Sequence, residues 1–339
     1  MQELKIILKN STAMTSILFL APPAWGKTHL LLGLFQERSF VWLFISPLRA
    51  LANEFEEKLK QADFKVVNVR SDLREMTTEF IYITTPESFP ELSDCHIKAP
   101  IVVVWDEFHL NYLWEDFRPK LMDFFHELSG YEHHLLALSA TFSEENLQRW
   151  EQEVRLNYDD NYVFNIGNLL LKNHPVQVYY YPEHQRPLLE EMIKLQMKMK
   201  KPDEVYLVFV AYREEVNRWL NWGEKHGKNF IGAKGGRVAN FIQELSSSQN
   251  LDGIITTTVL SHGVNLPQIK KIFITYPVKN LSLWIQMVGR GGRKGENFEL
   301  YHMDVLEKSF TSRLAAAFGN RFRAVYYEFL EGIGIANQD

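Results

Sequence analysis

The feature that most constrains the fold is a series of short apolar runs separated by amphipathic stretches. In the N-terminal half the runs lie at residues 16–21, 39–46, 79–85, 100–106 and 134–140. In the C-terminal half they lie at residues 176–182, 204–212, 252–258 and 271–277. Nearly continuous apolar runs that alternate with helical patterns, such as residues 50–62, are typical of parallel strands covered on both faces. The pattern predicts an α/β protein.

This rhythm breaks between about residues 150 and 175, where "NYDDNYVFNIGNLLLKNHP" shows no clean period. The chain has 339 residues, a length that suits two domains of ordinary size. We therefore predict two α/β domains, residues 1–172 and residues 173–339.

Composition excludes several classes of protein. Hydrophobic residues make up 46% of the chain and charged residues 23%, which indicates a globular protein. The net charge of −5 gives no overall basic excess, although a basic groove can coexist with an acidic exterior. The single Cys95 excludes an internal disulfide. The apolar stretches are too short to span a membrane, so we expect a cytoplasmic protein without membrane contact.

The apolar run "SILFLA" leads into "PPAWGKT", which is followed by the helical pattern "HLLLGLFQE". Strand, loop and helix in this order are the context of a phosphate-binding loop. We expect it to bind the phosphates of a nucleotide, with Lys27 neutralising phosphate charge and Thr28 ligating Mg²⁺. The loop residues predicted to contact the nucleotide are Pro22, Pro23, Ala24, Trp25, Gly26, Lys27 and Thr28.

Two residues depart from the usual loop. Ala21 stands where a glycine is expected, and the bulky Trp25 precedes Gly26. We expect Trp25 to pack outward, on the nucleotide or on the facing domain. The alternative is a structural turn that merely ends in Gly-Lys-Thr.

A second constellation follows about eighty residues later, where the run "IVVVW" ends directly in Asp106 and Glu107. Adjacent carboxylates at the end of a core strand are costly to desolvate unless a cation compensates them. We predict that Asp106 holds Mg²⁺ through water and that Glu107 activates the attacking water. The alternative is two acids that begin a surface turn.

The segment "DEFH" at 106–109 resembles the DExH form of the second motif of superfamily 2 helicases. The other motifs resemble that family in the expected order: "SPLRALANEF" (46–55), "TTPES" (84–88), "LSATF" (138–142), "LVFVAYREEV" (207–216), "TTVLSHGVNLP" (257–267) and "QMVGRGGR" (286–293). The motif sequences most resemble those of Ski2-like and Lhr-like helicases.

The resemblance implies two RecA-like domains, of the P-loop NTPase class, with ATP between them. It implies a catalytic set of Lys27, Asp106, Glu107, Gln286, Arg290 and Arg293, with Gly263 and Asn265 also binding the nucleotide. His109, Ser139 and Thr141 are expected to couple the Glu107 segment to the other domain, with His109 bridging to Gln286.

The resemblance also implies binding of single-stranded or partly duplex nucleic acid through the sugar-phosphate backbone, without reading of sequence. The contacts are expected in loops 47–49, 85–87 and 257–264, namely at Pro47, Arg49, Thr85, Pro86, Arg213, Thr257 and Val259. DNA is favoured over RNA because the motif sequences resemble those of Lhr-like helicases. Two alternatives stay open: an RNA helicase with the same residues, and a nucleotide-gated clamp that needs a protein partner.

Three departures suggest a bare motor core. About 20 residues precede the phosphate loop, which leaves little room for an adenine-reading element. No strand-separating hairpin fits between residues 267 and 286, and the accessory domains of Ski2-like relatives find no counterpart in the sequence.

Overall fold

The computed structural model describes residues 2–11, 13–69, 73–89, 95–116, 118–235, 238–261 and 264–303. The chain divides into two compact units, Met1–Asn168 and Leu169–Asp339. Each unit is a parallel sheet flanked by helices, so the predicted α/β fold with two domains is confirmed.

The first unit contains a seven-stranded sheet. The nine strands described in this unit, two of which lie outside the large sheet, are β1 (Thr15–Leu20), β2 (Val41–Ile45), β3 (Val66–Asn68), β4 (Glu75–Met76), β5 (Ile81–Thr84), β6 (His96–Ile97), β7 (Ile101–Trp105), β8 (His134–Ser139) and β9 (Asp160–Asn165). Its helices are α1 (Gln2–Asn10), α2 (Lys27–Leu34), α3 (Arg49–Gln61), α4 (His109–Leu113), α5 (Lys120–Leu128) and α6 (Glu144–Asn157). The large sheet has the order β3-β5-β2-β7-β8-β1-β9, and β4 pairs with β6 separately.

The central strands of this sheet are buried over their whole length because both faces are apolar and both are covered. One face packs Trp105, Phe108 and Phe125 against Trp150 of α6. All pairings in the sheet are parallel. The loops that follow β1, β2, β5, β7 and β8 therefore leave from the same edge.

The second unit contains a six-stranded parallel sheet. Its strands are β10 (Gln177–Tyr181), β11 (Val205–Phe209), β12 (Phe230–Ala233), β13 (Gly253–Thr256), β14 (Ile269–Ile274) and β15 (Glu299–Met303). Its helices are α7 (Arg186–Met199), α8 (Arg213–Lys225), α9 (Val238–Ser247) and α10 (Leu281–Val288). The strand order is β10-β15-β14-β11-β13-β12. On one face of the sheet, Leu189, Ile193 and Met197 of α7 join a cluster that includes Tyr206 and Phe273.

Several strands escape the apolar pattern. β9 lies in the segment without a clean period, at the edge of its sheet, and all its residues but Phe164 are exposed. An edge strand exposed in this way needs few apolar residues, so its sequence carries little strand signal. β15 is buried but includes Glu299 and His302, which interrupt the apolar run. In the described residues no helix is long and apolar enough to cross a membrane.

Candidate nucleotide-binding site

The loop between β1 and α2 has the geometry of a phosphate-binding loop. Its start is fixed to the neighbouring strand, since the backbone N–H of Ala21 donates to the Ser139 carbonyl at 3.0 Å. Ala24 and Gly26 have positive φ angles of 62° and 114°. A φ of 114° suits only glycine, and no atom lies within 4 Å of where a Gly26 side chain would begin. The glycine therefore allows close approach of a ligand to the backbone.

Helix α2 begins directly after this loop, at Lys27, and Thr28 lies in its first turn. The residue at the N-cap position, Gly26, has no side chain that could cap the amide groups of this turn. Free N–H groups at a helix start and the helix dipole together favour an anion such as phosphate. The residues at 26–28 thus fit a nucleotide phosphate, and their binding role stays a prediction.

Trp25 contacts strand β1 of its own unit, and the expected contact of its ring with the nucleotide or the facing domain stays a prediction. Its ring packs against Phe19 of β1, with the ring centroids 5.3 Å apart, and Phe19 in turn lies 6.3 Å from Phe164 of β9. The indole is half-buried against its own unit because this apolar contact removes it from water.

The acidic pair lies at the end of β7. The backbone N–H of Asp106 donates to the Ile45 carbonyl at 3.0 Å, and that of Glu107 donates to Asp106 Oδ1 at 3.0 Å. Crowding by protein atoms, and then the charge of Glu107, raise the pKa of Asp106, while Lys27 acts in the opposite direction. A carboxyl group in this setting is stabilised by an added cation. The pair therefore fits Mg²⁺, which prefers carboxylate and water oxygens.

The phosphate loop and the acidic pair meet at one edge of the sheet. Lys27 Nζ lies 4.0 Å from Glu107 Oε1, and the two side chains are only 16% and 13% exposed. Glu107 has a φ of 49°, a left-handed conformation that is uncommon for a residue with a side chain. The turn after β7 thus holds the Glu107 carboxylate toward the lysine.

The three predicted coupling residues form one hydrogen-bonded group behind Glu107. Ser139 Oγ lies 3.0 Å from His109 Nδ1 and accepts from the Thr141 backbone N–H at 3.2 Å. His109 Nδ1 lies 3.5 Å from Glu107 Oε2. Burial lowers the pKa of His109 to about 4, so the imidazole is neutral near pH 7. The predicted bridge from His109 to Gln286 stays a prediction.

The predicted strand-binding residues of the first unit lie on the loops after two adjacent strands, β2 and β5. Arg49 Nη2 donates to Ser88 Oγ at 3.1 Å, and Thr85 Oγ1 donates to the same oxygen at 3.0 Å. Arg49 is exposed, whereas Pro47, Thr85 and Pro86 are buried. Buried side chains leave the backbone and the exposed arginine as the groups that can reach a ligand.

The corresponding residues of the second unit also follow two adjacent strands. Arg213 begins α8 after β11, and Thr257 and Val259 follow β13. The backbone N–H of Val210 donates to the Thr256 carbonyl at 2.8 Å, which ties the two loop starts together. Asn265 is exposed, and Gly263 lies outside the described residues. The nucleic-acid role of these residues stays a prediction.

The three predicted catalytic residues of the second unit lie on α10 and the turn after it. Gln286 is 5% exposed, Arg290 is 1% exposed and Arg293 is half-buried. Arg290 Nη1 donates to the Val264 carbonyl at 2.5 Å, and Arg293 Nε donates to the Gly289 carbonyl at 3.3 Å. Arg290 therefore already holds the segment that carries Val264, and its action on phosphate stays a prediction.

Two asparagines support these loops and were missed by the motif search. Asn168 forms a double hydrogen bond with the Phe142 backbone, at 2.8 Å from its N–H and 2.7 Å to its carbonyl. Asn173 Nδ2 donates to the Gly292 carbonyl. Both lie in the aperiodic segment after residue 150. A polar residue in a loop carries no periodic signal, so only the folded chain reveals these contacts.

Comparison with known proteins agrees with this geometry. Residues 3–150 match the DEAD/DEAH box helicase domain, and residues 185–295 match the helicase conserved C-terminal domain. No curated protein matches the whole sequence significantly.

Solved structures resemble the fold over almost the whole chain. S. cerevisiae Dbp5 bound to RNA and ADP BeF3 has a TM-score of 0.65 at 16% identity, covering 93% of this chain and 85% of that one. Mss116p bound to ssRNA and AMP-PNP has a TM-score of 0.63 at 16% identity, covering 97% and 75%. Another neighbour is described as the DEAD-box helicase Mss116 bound to ssRNA and UDP-BeF, with a TM-score of 0.62 at 16% identity, covering 89% and 68%.

The comparisons do not support the narrower assignment to a helicase subfamily. The neighbours include DEAD-box proteins, so neither a Ski2-like or Lhr-like assignment nor the DExH designation is supported. The two family models together match most of the chain, in the order that the motifs predict. The chain therefore carries the N-terminal and C-terminal helicase domains of superfamily 2, a family whose members bind ATP and nucleic acid.

Proposed function

We propose that this chain is an ATP-driven motor that grips single-stranded RNA and uses hydrolysis to move along it or to separate a short duplex. The observation that carries the proposal is the approach of Lys27 Nζ to Glu107 Oε1, 4.0 Å apart on the loops after β1 and β7. A lysine for the phosphates and a carboxylate for the attacking water are the two groups that phosphoryl transfer to water requires.

In the proposed reaction Lys27 and the first-turn amides of α2 hold the phosphates of ATP. Thr28 and Asp106 would hold Mg²⁺. The ion would supply charge neutralisation on the phosphate oxygens. Glu107 orients the attacking water and accepts its proton on the carboxylate. The turn after β7 directs this carboxylate toward the ammonium group of Lys27.

In the same proposal the second unit contributes Gln286 beside the attacking water and Arg290 and Arg293 against the charge that develops on the transferred group. His109, Ser139 and Thr141 transmit the state of Glu107 to the strand-binding loops. By linkage, a polymer that favours the hydrolysing state must also tighten ATP binding.

RNA replaces DNA as the favoured substrate. The expectation of DNA rested only on the resemblance of the motif sequences to those of Lhr-like helicases. The neighbours described above were solved with RNA bound, and this makes RNA the better first hypothesis for a chain with the same fold. The proposed contacts are to the sugar-phosphate backbone, so sequence preference is not expected.

The test is ATP hydrolysis measured without nucleic acid, with single-stranded RNA and with single-stranded DNA. Lys27→Ala serves as the blank, and Lys60→Ala, at an exposed lysine on α3, serves as the matched control. Stimulation by RNA above DNA is the expected result. Stimulation by DNA alone would return the substrate to DNA. Hydrolysis indifferent to both polymers would contradict the motor and favour a partner-dependent nucleotide switch.

A further inference from the structure

A cationic side chain outside the helicase motifs connects two of the proposed RNA-binding turns. Arg118 lies just before α5, where its backbone N–H donates to the Trp114 carbonyl at 2.7 Å. Its Nη1 donates to the Pro47 carbonyl at 2.8 Å. Its Nε donates to Glu87 Oε1 at 3.1 Å, and its Nη2 donates to the same oxygen. One guanidinium thus touches the loop after β2 and the turn after β5.

The guanidinium is also fixed from a third side. Its carbon lies 5.2 Å from the centroid of the Trp114 ring, close enough for a cation–π contact. The Arg118 side chain is 22% exposed, so most of it is removed from water. A planar guanidinium with several directed donors can hold two groups at a set separation, which the flexible ammonium of a lysine does less well.

The partner carboxylate poses an electrostatic problem for RNA binding. Glu87 lies within the turn at 85–87 proposed to contact the RNA backbone, and its side chain is 35% exposed. An uncompensated carboxylate at this position would repel phosphates. The ion pair with Arg118 neutralises that charge and at the same time turns the carboxylate toward the protein.

We propose that Arg118 is a positioning residue for RNA binding: it neutralises Glu87 and holds the Pro47 loop and the Thr85–Ser88 turn in register as one phosphate-binding surface. The inference rests on the proposed function. Arg118 acts through these loops and not through its own contact with phosphate, because each of its three nitrogens already donates to Pro47 or Glu87. Arg49, which is exposed on the same surface, is left as the direct cation.

The experiment measures the affinity for a fluorescently labelled single-stranded oligouridylate in the presence of Mg²⁺ and a non-hydrolysable ATP analogue. Four proteins are compared: wild type, Arg118→Gln, the double variant Glu87→Gln/Arg118→Gln, and Arg155→Gln. Arg155 is the matched control because it is an exposed arginine in the last turn of α6. Each titration is repeated over a range of salt concentrations, and thermal unfolding verifies that each variant is folded.

Arg118→Gln is expected to weaken RNA binding about tenfold because it leaves the Glu87 carboxylate bare beside the phosphates. The double variant removes both charges and is expected to recover most of that loss. Its slope of log affinity against log salt should equal that of the wild type, since no phosphate contact has been removed. Arg155→Gln should bind as the wild type does. No recovery in the double variant, at the salt slope of the wild type, would contradict the neutralisation of Glu87 and leave only the bond to Pro47 as the role of Arg118.

Two other results would overturn the whole inference. One is wild-type affinity in Arg118→Gln. The other is a double variant that binds as weakly as Arg118→Gln with a salt slope smaller by about 0.7, which is the mark of a lost direct contact with a single strand. If Arg118→Gln fails to fold, the double variant provides the test. Its slope of log affinity against log salt is then compared with that of the wild type. A wild type that binds neither RNA nor DNA refutes the proposed function together with this inference, whereas a wild type that binds while the variants match it refutes only the inference.

Discussion

The two units use charged side chains differently near the loops predicted to carry the chemistry. In the first unit Lys27 and Glu107 face each other at 4.0 Å, and burial, followed by the charge of Glu107, raises the pKa of Asp106. In the second unit Arg290 is 1% exposed and donates to the carbonyl of Val264. In the first unit, an added cation would stabilise the carboxylates. In the second unit, the cationic side chain of Arg290 already holds a loop in place.

This contrast teaches where substitutions should act on chemistry and where they should act on folding. Carboxylates with a raised pKa are common at functional sites because the site, and not the fold, benefits from them. A buried arginine bonded to a backbone carbonyl stabilises the local structure whatever else it does, since its loss leaves that carbonyl without a donor. Replacements in the two units can therefore test the contrast.

The largest effect is expected from Lys27→Ala. Without the ammonium group the phosphates lose their main cationic contact from the chain, and ATP hydrolysis should fall by a factor on the order of 100 or more. Steady-state phosphate release measures the rate, with Lys60→Ala as the control for loss of an exposed lysine. Hydrolysis at the wild-type rate in Lys27→Ala would remove the loop after β1 from the proposed site.

Glu107→Gln should separate binding from turnover. The amide keeps the shape of the side chain but cannot accept a proton from water, so the rate should fall by roughly 10²–10⁴-fold. Affinity for a fluorescent ATP analogue should persist, and loss of a negative charge beside the phosphates should not weaken it. A variant that turns over normally would show that another group activates the water.

Arg290 and Arg293 provide the sharpest test within the second unit. Arg290→Gln should lower the free energy of unfolding by about 1–3 kcal/mol because the buried Val264 carbonyl loses its donor. Arg293→Gln should cost less than Arg290→Gln, since the Arg293 side chain is half-buried whereas that of Arg290 is 1% exposed. Chemical denaturation followed by tryptophan fluorescence measures both.

For the rate of ATP hydrolysis, unlike for stability, replacement of Arg293 should have a larger effect than replacement of Arg290. Arg293→Ala should slow hydrolysis far more than it weakens nucleotide affinity, because the proposed contact forms as charge develops. A variant that loses affinity and keeps its turnover would place Arg293 outside that role. Unchanged stability in Arg290→Gln would contradict the structural half of the contrast.

The last pair of variants concerns two glycines that share a φ of 64°. Gly227→Ala meets no atom within 4 Å, so only backbone strain of about 1 kcal/mol is expected. Gly292→Ala would in addition bring its Cβ to 2.9 Å from Asn173 Cβ, and the loss of stability should exceed that of Gly227→Ala. Equal unfolding midpoints would show that Asn173 moves aside at no cost.

Much of the fold could be predicted from sequence because the central strands are apolar on both faces. The runs at 16–21 and 100–106 became β1 and β7, and the helical pattern at 50–62 became α3. β9 and β15 could not be predicted in this way, because one is an exposed edge strand and the other is buried with Glu299 and His302 in its sequence. Burial of a polar side chain depends on neighbours that are remote in the chain.

The candidate site divides in the same way. The order of the phosphate loop, the acidic pair and the arginine-rich turn is a property of the sequence, and the family comparisons agree with it. The packing of Trp25 onto Phe19 and the burial of Arg290 were not predictable, since both depend on the space that other elements leave.

The sequence by itself determined the fold class, the order of the motifs and the chemical types present at each loop, because local apolar patterns and motif spacing are recorded along the chain. Only the tertiary structure decided which of those groups meet. Lys27 reaches Glu107, and Arg118 reaches both Pro47 and Glu87, because parallel strands bring distant loops to one edge of a sheet. A contact between residues eighty positions apart has no signature in either stretch of sequence alone.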